Sequence, residues 1–296
     1  MKELSDGHVK QILVPNKNPH RFFGIDFFAS LYQGSNPIFQ YFGTPMDSFQ
    51  VFDSSTITPK QNGIEVFTLE IRSKIPGMVI GFYQNPDPYH ALEEEFHLMS
   101  KALEILSKQE IGVYIETTND LILRDLPILQ KINEKAPVVV VIPFGQINDL
   151  ILHKIEPNSP TFSQRLKLLH KLSSSGITTG ILLKPIIPFI NDSDENITTI
   201  IEKGRDAGAS FIYPSFGISL EKNQRKDFYN LIDHEFPGLK NVCMDVFGSK
   251  KIWISTNASQ LKKTFVFECK KKRMFYGMKD IVELIKPSST VQIKLF

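Results

Sequence analysis

The sequence predicts an α/β fold: an incomplete parallel barrel of about six βα units, followed by a basic C-terminal extension. Three observations lead there. Short apolar runs alternate with amphipathic stretches of helical period, the pattern of repeated βα units. The run Val138-Val139-Val140-Val141-Ile142 is apolar at every position, as in a parallel strand covered on both faces. The 296 residues also suit one barrel domain of about 200–250 residues with an extension.

Taken in order, the apolar runs predict strands over 78–83, 111–115, 137–142, 179–183 and 210–213. An earlier strand falls either over 12–14 or over 22–27. Between them, apolar residues recur at helical spacing over 91–107, 120–134, 163–175, 194–207 and 220–235. No internal repeat or low-complexity linker interrupts the series. The predicted organisation is an N-terminal segment (1–17), the partial barrel (18–245), a basic extension (246–291) and a short tail (292–296). Within the extension, 251–255 and 264–268 read as strands.

Composition narrows the class. Apolar residues make up 42% and charged residues 22% of the chain, which supplies a large core and the surface of a water-soluble protein. Phenylalanine, at 23 residues, is abundant, and its simplest use is packing. A net charge of +2 is too small for the whole chain to attract nucleic acid, but the sign is uneven. Nine Lys and Arg residues lie between Lys250 and Lys279, against Glu268 as the one acid. The two cysteines, Cys243 and Cys269, are too far apart for a local metal motif and fit a reducing, cytoplasmic setting. No stretch approaches ~20 continuous apolar residues, and no signal-peptide core is visible, so no membrane partner is expected.

The motifs are more specific. Residues Asn18 to Ser30 read Asn-Pro-His-Arg-Phe-Phe-Gly-Ile-Asp-Phe-Phe-Ala-Ser. Asp87-Pro88-Tyr89 is followed by Glu93, and Leu121-Ile122-Leu123-Arg124-Asp125-Leu126 comes next. Glu156-Pro157, Pro160, Arg165-Leu166 and Gly176-Ile177 continue the series, which closes with Pro185-Ile186-Ile187-Pro188, Asn191-Asp192 and Ala207-Gly208-Ala209. This collinear set resembles the radical S-adenosylmethionine (SAM) enzymes of the spore photoproduct lyase type. The resemblance implies a partial barrel whose sites gather at the C-terminal ends of the strands, where Asp87, Tyr89, Thr117, Pro143 and Pro185 would lie.

The same resemblance implies a [4Fe–4S] cluster and bound SAM, and here the chain departs from the pattern. The three cluster cysteines of the family fall on Phe23, Phe27 and Ser30, none of which supplies the thiolate an iron–sulfur cluster needs. The family's Thr-Lys-Ser appears as Thr117-Thr118-Asn119, removing a lysine able to pair with the SAM carboxylate and placing SAM binding in doubt. No cofactor and no catalytic residue are therefore expected. Phe23 and Phe27 are expected to fill space. His20 and His90 with Asp87 are the available metal ligands, but they lack a paired spacing, and no metal site is expected. Phosphate-loop, dinucleotide and nucleophile-elbow motifs are absent. Asp87, Tyr89, Thr117 and Glu156 are the candidates for a residual pocket. Turn formation explains Asp87 equally well, and Arg124 and Asp125 are expected to cap a helix.

Two further signals concern partners. The sequence Gln292-Ile293-Lys294-Leu295-Phe296 resembles the peptide with which bacterial DNA-processing proteins grip the replication sliding clamp. Gln292 would bond at the rim, while Ile293, Leu295 and Phe296 enter an apolar groove. Such a peptide orders on contact, so micromolar binding, about −8 kcal/mol, is the expected strength. Lys270-Lys271-Lys272-Arg273, followed by Met274-Phe275-Tyr276, mixes cations with aromatics as DNA-contacting surfaces do. The expected function is a cluster-less, DNA-associated, repair-related accessory protein docked on the clamp. The alternatives are cluster-independent chemistry on a small molecule at the barrel mouth, or a protein-binding scaffold.

Overall fold

A computed structural model describes residues 8–34, 57–83 and 86–287. The chain opens with β1 (Leu13–Pro15), a 3-10 turn (Pro19–Arg21), β2 (Phe27–Ala29), β3 (Tyr32–Gln33), β4 (Thr58–Pro59) and α1 (Gly63–Ile71). Then follow β5 (Val79–Phe82), α2 (Glu93–Phe96), α3 (Leu98–Gln109), β6 (Gly112–Glu116), a second 3-10 turn (Asp120–Asp125) and α4 (Leu126–Asn133). The third stretch holds β7 (Val138–Pro143), α5 (Asp149–Ile155), α6 (Phe162–Ser174), β8 (Thr178–Leu183), α7 (Asp194–Asp206) and β9 (Phe211–Pro214). The last comprises β10 (Gly217–Ser219), α8 (Lys222–Glu235), α9 (Leu239–Phe247), β11 (Ile252–Ile254), α10 (Ala258–Lys271) and α11 (Met278–Ile285).

This is a mixed α/β fold around a mostly parallel sheet of order β1-β2-β5-β6-β7-β8-β9. The antiparallel pair β1–β2 sits at one edge, and every other pairing is parallel. Both early strand expectations are thereby resolved: β1 overlaps 12–14, while β2 begins only at Phe27. Small pairs, β3–β4 and β10–β11, lie outside the main sheet.

Period-2 alternation divides the strand side chains between two cores. On one face, Val113, Ile115, Val138, Val140, Ile142, Ile181 and Leu183 meet the helices through residues such as Leu103, Leu129, Leu169 and Ile200. On the other, Val79, Tyr114, Val139, Val141, Leu182 and Phe211 pack with Phe23, Ile25, Phe28 and with Ile281 and Ile285 of α11. A parallel strand buried on both faces has no need of polar residues, hence the unbroken valine run of β7. A third cluster gathers around Trp253, which stacks on Phe247 at 4.6 Å and packs with Phe228, Ile232 and Ile218.

Residues 246–287 pack on the preceding elements. β11 pairs with β10, α10 lies on α7, and Phe275 bridges to Phe211 of β9. Lys286 at the end of α11 pairs with Asp26. The strand expected over 264–268 is helix instead, within α10. Leu261, Phe265 and Cys269 are all buried and spaced by four residues. That 3.6-type repeat outlasts the β-like Thr-Phe-Val-Phe run inside it.

Gly180 marks the tightest point of the aromatic face. A Cβ there would lie 2.2 Å from the Phe211 ring, so the ring occupies the space a side chain would take. Gly180→Ala is expected to cost about 1–3 kcal/mol in urea unfolding, as overpacking does. Adding Phe211→Leu should recover part of that loss. A double variant no better than the single one would place the strain elsewhere.

Candidate functional site

The family-like residues hold the ends of the strands together. After β5 the chain turns through Asp87, whose carboxylate accepts from Thr117 Oγ1 at 2.6 Å and from the backbone N–H groups of Tyr89 (2.9 Å) and Thr118 (3.1 Å). Burial raises its pKa, and these three donors pull in the opposite direction. The turn after β5 is thus fastened to the end of β6. Tyr89 is buried and donates its hydroxyl to Asp125 at 3.1 Å. Asp125 also accepts from Ser100 at 2.6 Å and pairs with Arg124 at 3.0 Å.

Arg124 reaches Glu93 at 2.8 Å, and Glu93 is fully buried. Its carboxylate accepts from the N–H groups of Leu98 and Met99, each at 3.0 Å, and from the Tyr32 hydroxyl. Burial and the adjoining Glu93 push the Tyr32 phenol far above its ordinary pKa. Glu93 therefore caps α3, whose N–H groups at the first turn lack helical partners. The expectation that Arg124 and Asp125 cap a helix is corrected. Asn119 performs that task by accepting from the Leu121 N–H at 3.0 Å, while Asp125 makes no such bond.

Glu156 lies apart from Asp87 and Thr117 and pairs with Arg165 at 2.7 Å. Arg165 is 1% exposed and also donates to the carbonyls of Pro143 and Pro160. Asn191 and Asn196 both donate to the Gly145 carbonyl at 2.8 Å, tying the loops that follow β7 and β8. So of the expected pocket residues, Asp87 and Thr117 are joined directly, Tyr89 is turned toward Asp125, and Glu156 serves a separate clamp.

Phe23, Phe27 and Ser30 do not converge. Phe23 adopts φ 51° and is 2% exposed, with its ring 5.2 Å from Tyr114, 5.5 Å from Tyr213 and 6.0 Å from Phe211. Phe27 faces the helical core, and Lys74 Nζ lies 4.3 Å above its ring. Ser30 donates to the Tyr32 carbonyl at 2.7 Å. Two phenyl rings and one engaged alcohol supply no thiolate, and they point in different directions, so they do not fit a cluster.

His20 sits exposed in the first 3-10 turn, whereas His90 follows β5, with its ring 4.3 Å from Tyr32. Burial lowers the His90 pKa to about 4, keeping the ring neutral. Among the described residues, no group of three or more His, Cys, Asp or Glu side chains is placed to hold a metal. In the basic run, Lys271 pairs with Glu268 at 3.2 Å and Lys272 with Glu202 at 2.7 Å. Lys270 and Arg273 are exposed. The clamp-like residues Gln292, Ile293, Leu295 and Phe296 lie outside the described residues.

A second constellation escaped the sequence reading. Glu116 ends β6 and Lys184 follows β8, and they form a buried ion pair at 2.6 Å with side-chain exposures of 2% and 7%. Both positions continue the alternation of the aromatic face beyond Tyr114 and Leu182. The hydroxyls of Tyr83 and Tyr114 are buried without a hydrogen-bond partner among the described residues. Desolvation drives both phenols well above their ordinary pKa, and the charge of Glu116 adds to it. A one-in-two extrapolation past the strand ends would have found the pair, but nothing in the motif did.

Comparison with known proteins agrees with the fold. No family model matches the chain. An uncharacterised protein of Mycobacterium tuberculosis (strain H37Rv) is 28% identical over 156 residues, spanning 52% of this chain and 45% of that protein. A second, from Methanocaldococcus jannaschii, is 29% identical over 106 residues, 36% of this chain and 39% of its own. The chain thus spans less than half the length of these curated relatives. Among solved structures, a point mutant of spore photoproduct lyase superposes with a TM-score of 0.58 at 14% identity, covering 90% of this chain and 86% of the other. Another mutant, with bound AdoMet and dinucleoside spore photoproduct, gives 0.57 over 83% and 74%. The likeness is one of fold: this chain's mixed α/β architecture resembles that of spore photoproduct lyase.

Removing one partner of a buried ion pair strands the other charge. Lys184→Met is expected to cost about 3–5 kcal/mol in urea unfolding, and Glu116→Gln with Lys184→Met should recover most of that loss. A Lys184→Met protein as stable as the wild type would show that Glu116 is not held charged by this contact.

Proposed function

We propose that this chain works without radical chemistry, as a DNA-associated, repair-related accessory protein that docks on the bacterial sliding clamp through residues 292–296. The observation that carries the non-radical reading is the packing of Phe23. Its ring fills the aromatic face at a position where the family places a cluster ligand, and Phe27 is turned to the opposite core. Association with DNA is supported by the likeness in fold to a lyase solved with a dinucleoside photoproduct, and by the exposed cations Lys270 and Arg273. Clamp docking is supported by the sequence Gln292-Ile293-Lys294-Leu295-Phe296 alone.

A second reading has one observation in its favour. The Glu116–Lys184 pair beside two unpartnered phenols is a polar constellation of the kind that small-molecule sites use. On that reading the strand ends carry cluster-independent chemistry on a small polar ligand.

Two experiments test the first reading. Anaerobic reconstitution with iron and sulfide should leave the visible spectrum without thiolate-to-iron charge-transfer bands, and stoichiometric [4Fe–4S] incorporation would overturn the cluster-less assignment. Deleting residues 292–296 should abolish binding to a bacterial clamp, with the melting temperature nearly unchanged. The two apolar anchors, Leu295 and Phe296, are worth about 3–6 kcal/mol gross, enough to control a micromolar contact. Full clamp affinity in the truncated protein would sink the docking claim.

A further inference from the structure

The C-terminal part of α10 and the segment that follows it each carry a large exposed aromatic side chain. Phe267 is 64% exposed and Phe275 is 47% exposed. Both have cations close by in the sequence. Leu261, Phe265 and Cys269 turn one side of α10 inward, so Lys263, Phe267 and Lys270, spaced at four and three residues, share the opposite side. Arg273 follows at φ 52°, reversing the chain after the helix, where the Met274 N–H closes on the Cys269 carbonyl at 2.9 Å.

Phe275 is then fixed to the main sheet. Its N–H donates to the Ser210 carbonyl at 3.3 Å, and its carbonyl accepts from Ile212 at 2.9 Å. The exposed ring thus projects from a backbone already ordered as an extension of the sheet. Little ordering cost remains to be met when something covers it.

The charge around these rings is sorted. Glu268 and Glu202 are engaged by Lys271 and Lys272. Lys263, Lys270 and Arg273 are exposed and form no ion pair among the described residues. The sequence pattern alone counts Lys270 through Arg273 as one basic block. The structure divides that block and adds Lys263 and Phe267 from the previous turns of the helix.

We infer that this surface binds single-stranded nucleic acid, with Phe267 and Phe275 stacking on unpaired bases and Lys263, Lys270 and Arg273 holding the intervening phosphates. The inference rests on the DNA-associated reading above and names its surface and its substrate form. Two features favour a single strand over a duplex. An aromatic side chain finds a free π-face only on a base that is not already stacked in a helix. The cations also interleave with the rings in the order Lys263, Phe267, Lys270, Arg273, Phe275, as phosphates and bases alternate along a strand. Flanking cations also favour a polyanion over an apolar protein partner.

The test uses the full chain and fluorescence anisotropy with labelled oligo(dT) and with a duplex of equal length, over a range of salt concentrations. Wild-type protein should bind oligo(dT) more tightly than duplex. Phe267→Ala and Phe275→Ala should each weaken oligo(dT) binding by roughly 5- to 150-fold, with the salt slope unchanged. Lys270→Ala and Arg273→Ala should each flatten the slope of log affinity against log salt by about 0.7. Both rings are in solvent, so the melting temperature should hold. Unchanged oligo(dT) affinity in the double phenylalanine variant would overturn the platform, and continued binding of duplex by that variant would leave the broader DNA-associated reading standing. Failure of the wild type to bind either probe would overturn both.

Discussion

A parallel sheet must be covered on both faces, and the rest of this molecule depends on how the second face is covered. Helices take the first face, as βα connectivity requires. The second is closed from within the chain by Phe23, Ile25 and Phe28 and from the C-terminal side by Ile281 and Ile285 of α11. Rings interlock there edge to face, Phe23 against Tyr213 at 79° and Phe28 against Tyr83 at 65°. Each buried ring contributes about 1.5–3 kcal/mol of transfer free energy before any ring–ring preference. Gly180 is part of the same arrangement, since its missing side chain makes room for Phe211. The basic C-terminal stretch is accordingly bound to the sheet it follows, with its outer surface free for charge.

The residues shared with the radical SAM pattern have a physical reason to persist apart from the chemistry. Asp87 ties the turn after β5 to β6, the Glu93–Arg124–Asp125–Tyr89 network joins the start of α3 to the turn after β6, and Arg165 holds the end of β7. Every one of these clamps acts where a strand gives way to a loop, and those loops are where backbone N–H and C=O groups lose their ladder partners. Loss of any clamp would leave several buried polar groups unpaired at once. Such residues serve the fold independently of any reaction.

Much of the fold was legible because it is written in periods. Each of the five later strands was placed to within a residue or two, since short apolar runs bounded by turns have few other readings. Boundaries within helices were less visible. The stretch 91–107 breaks at His97, which takes φ 52°, and 120–134 begins as a 3-10 turn before α4 starts at Leu126. The site was legible by residue but not by partner. Tyr89 and Asp125 were both singled out, yet their bond joins residues 36 apart in the chain, a distance that local spacing cannot report. The ion pair of Glu116 with Lys184 spans two crossover units, so the motifs do not report it, although strand alternation puts both residues on one face. Lys272 reads as part of a free basic block because its partner, Glu202 on α7, lies 70 residues away, whereas the partner of Lys271 is the nearby Glu268.

That ion pair raises the question of what an apolar face gains from keeping it. Two charges withdrawn from water recover their hydration only through close geometry and further hydrogen bonds, and well-packed apolar residues in their place are often equally stable or more so. Packing therefore gives no reason for Glu116 and Lys184 at these positions. The phenols of Tyr83 and Tyr114 sharpen the point, because phenylalanine would fill the same space without leaving a buried hydroxyl unpaired. Phenylalanine supplies rings to the same face at 22, 23, 28 and 211. Glu116, Tyr83 and Lys184 stand at or just beyond the C-terminal ends of their strands, with Tyr114 one alternation behind Glu116. Four polar groups that stability alone does not call for thus stand together toward one end of an aromatic face.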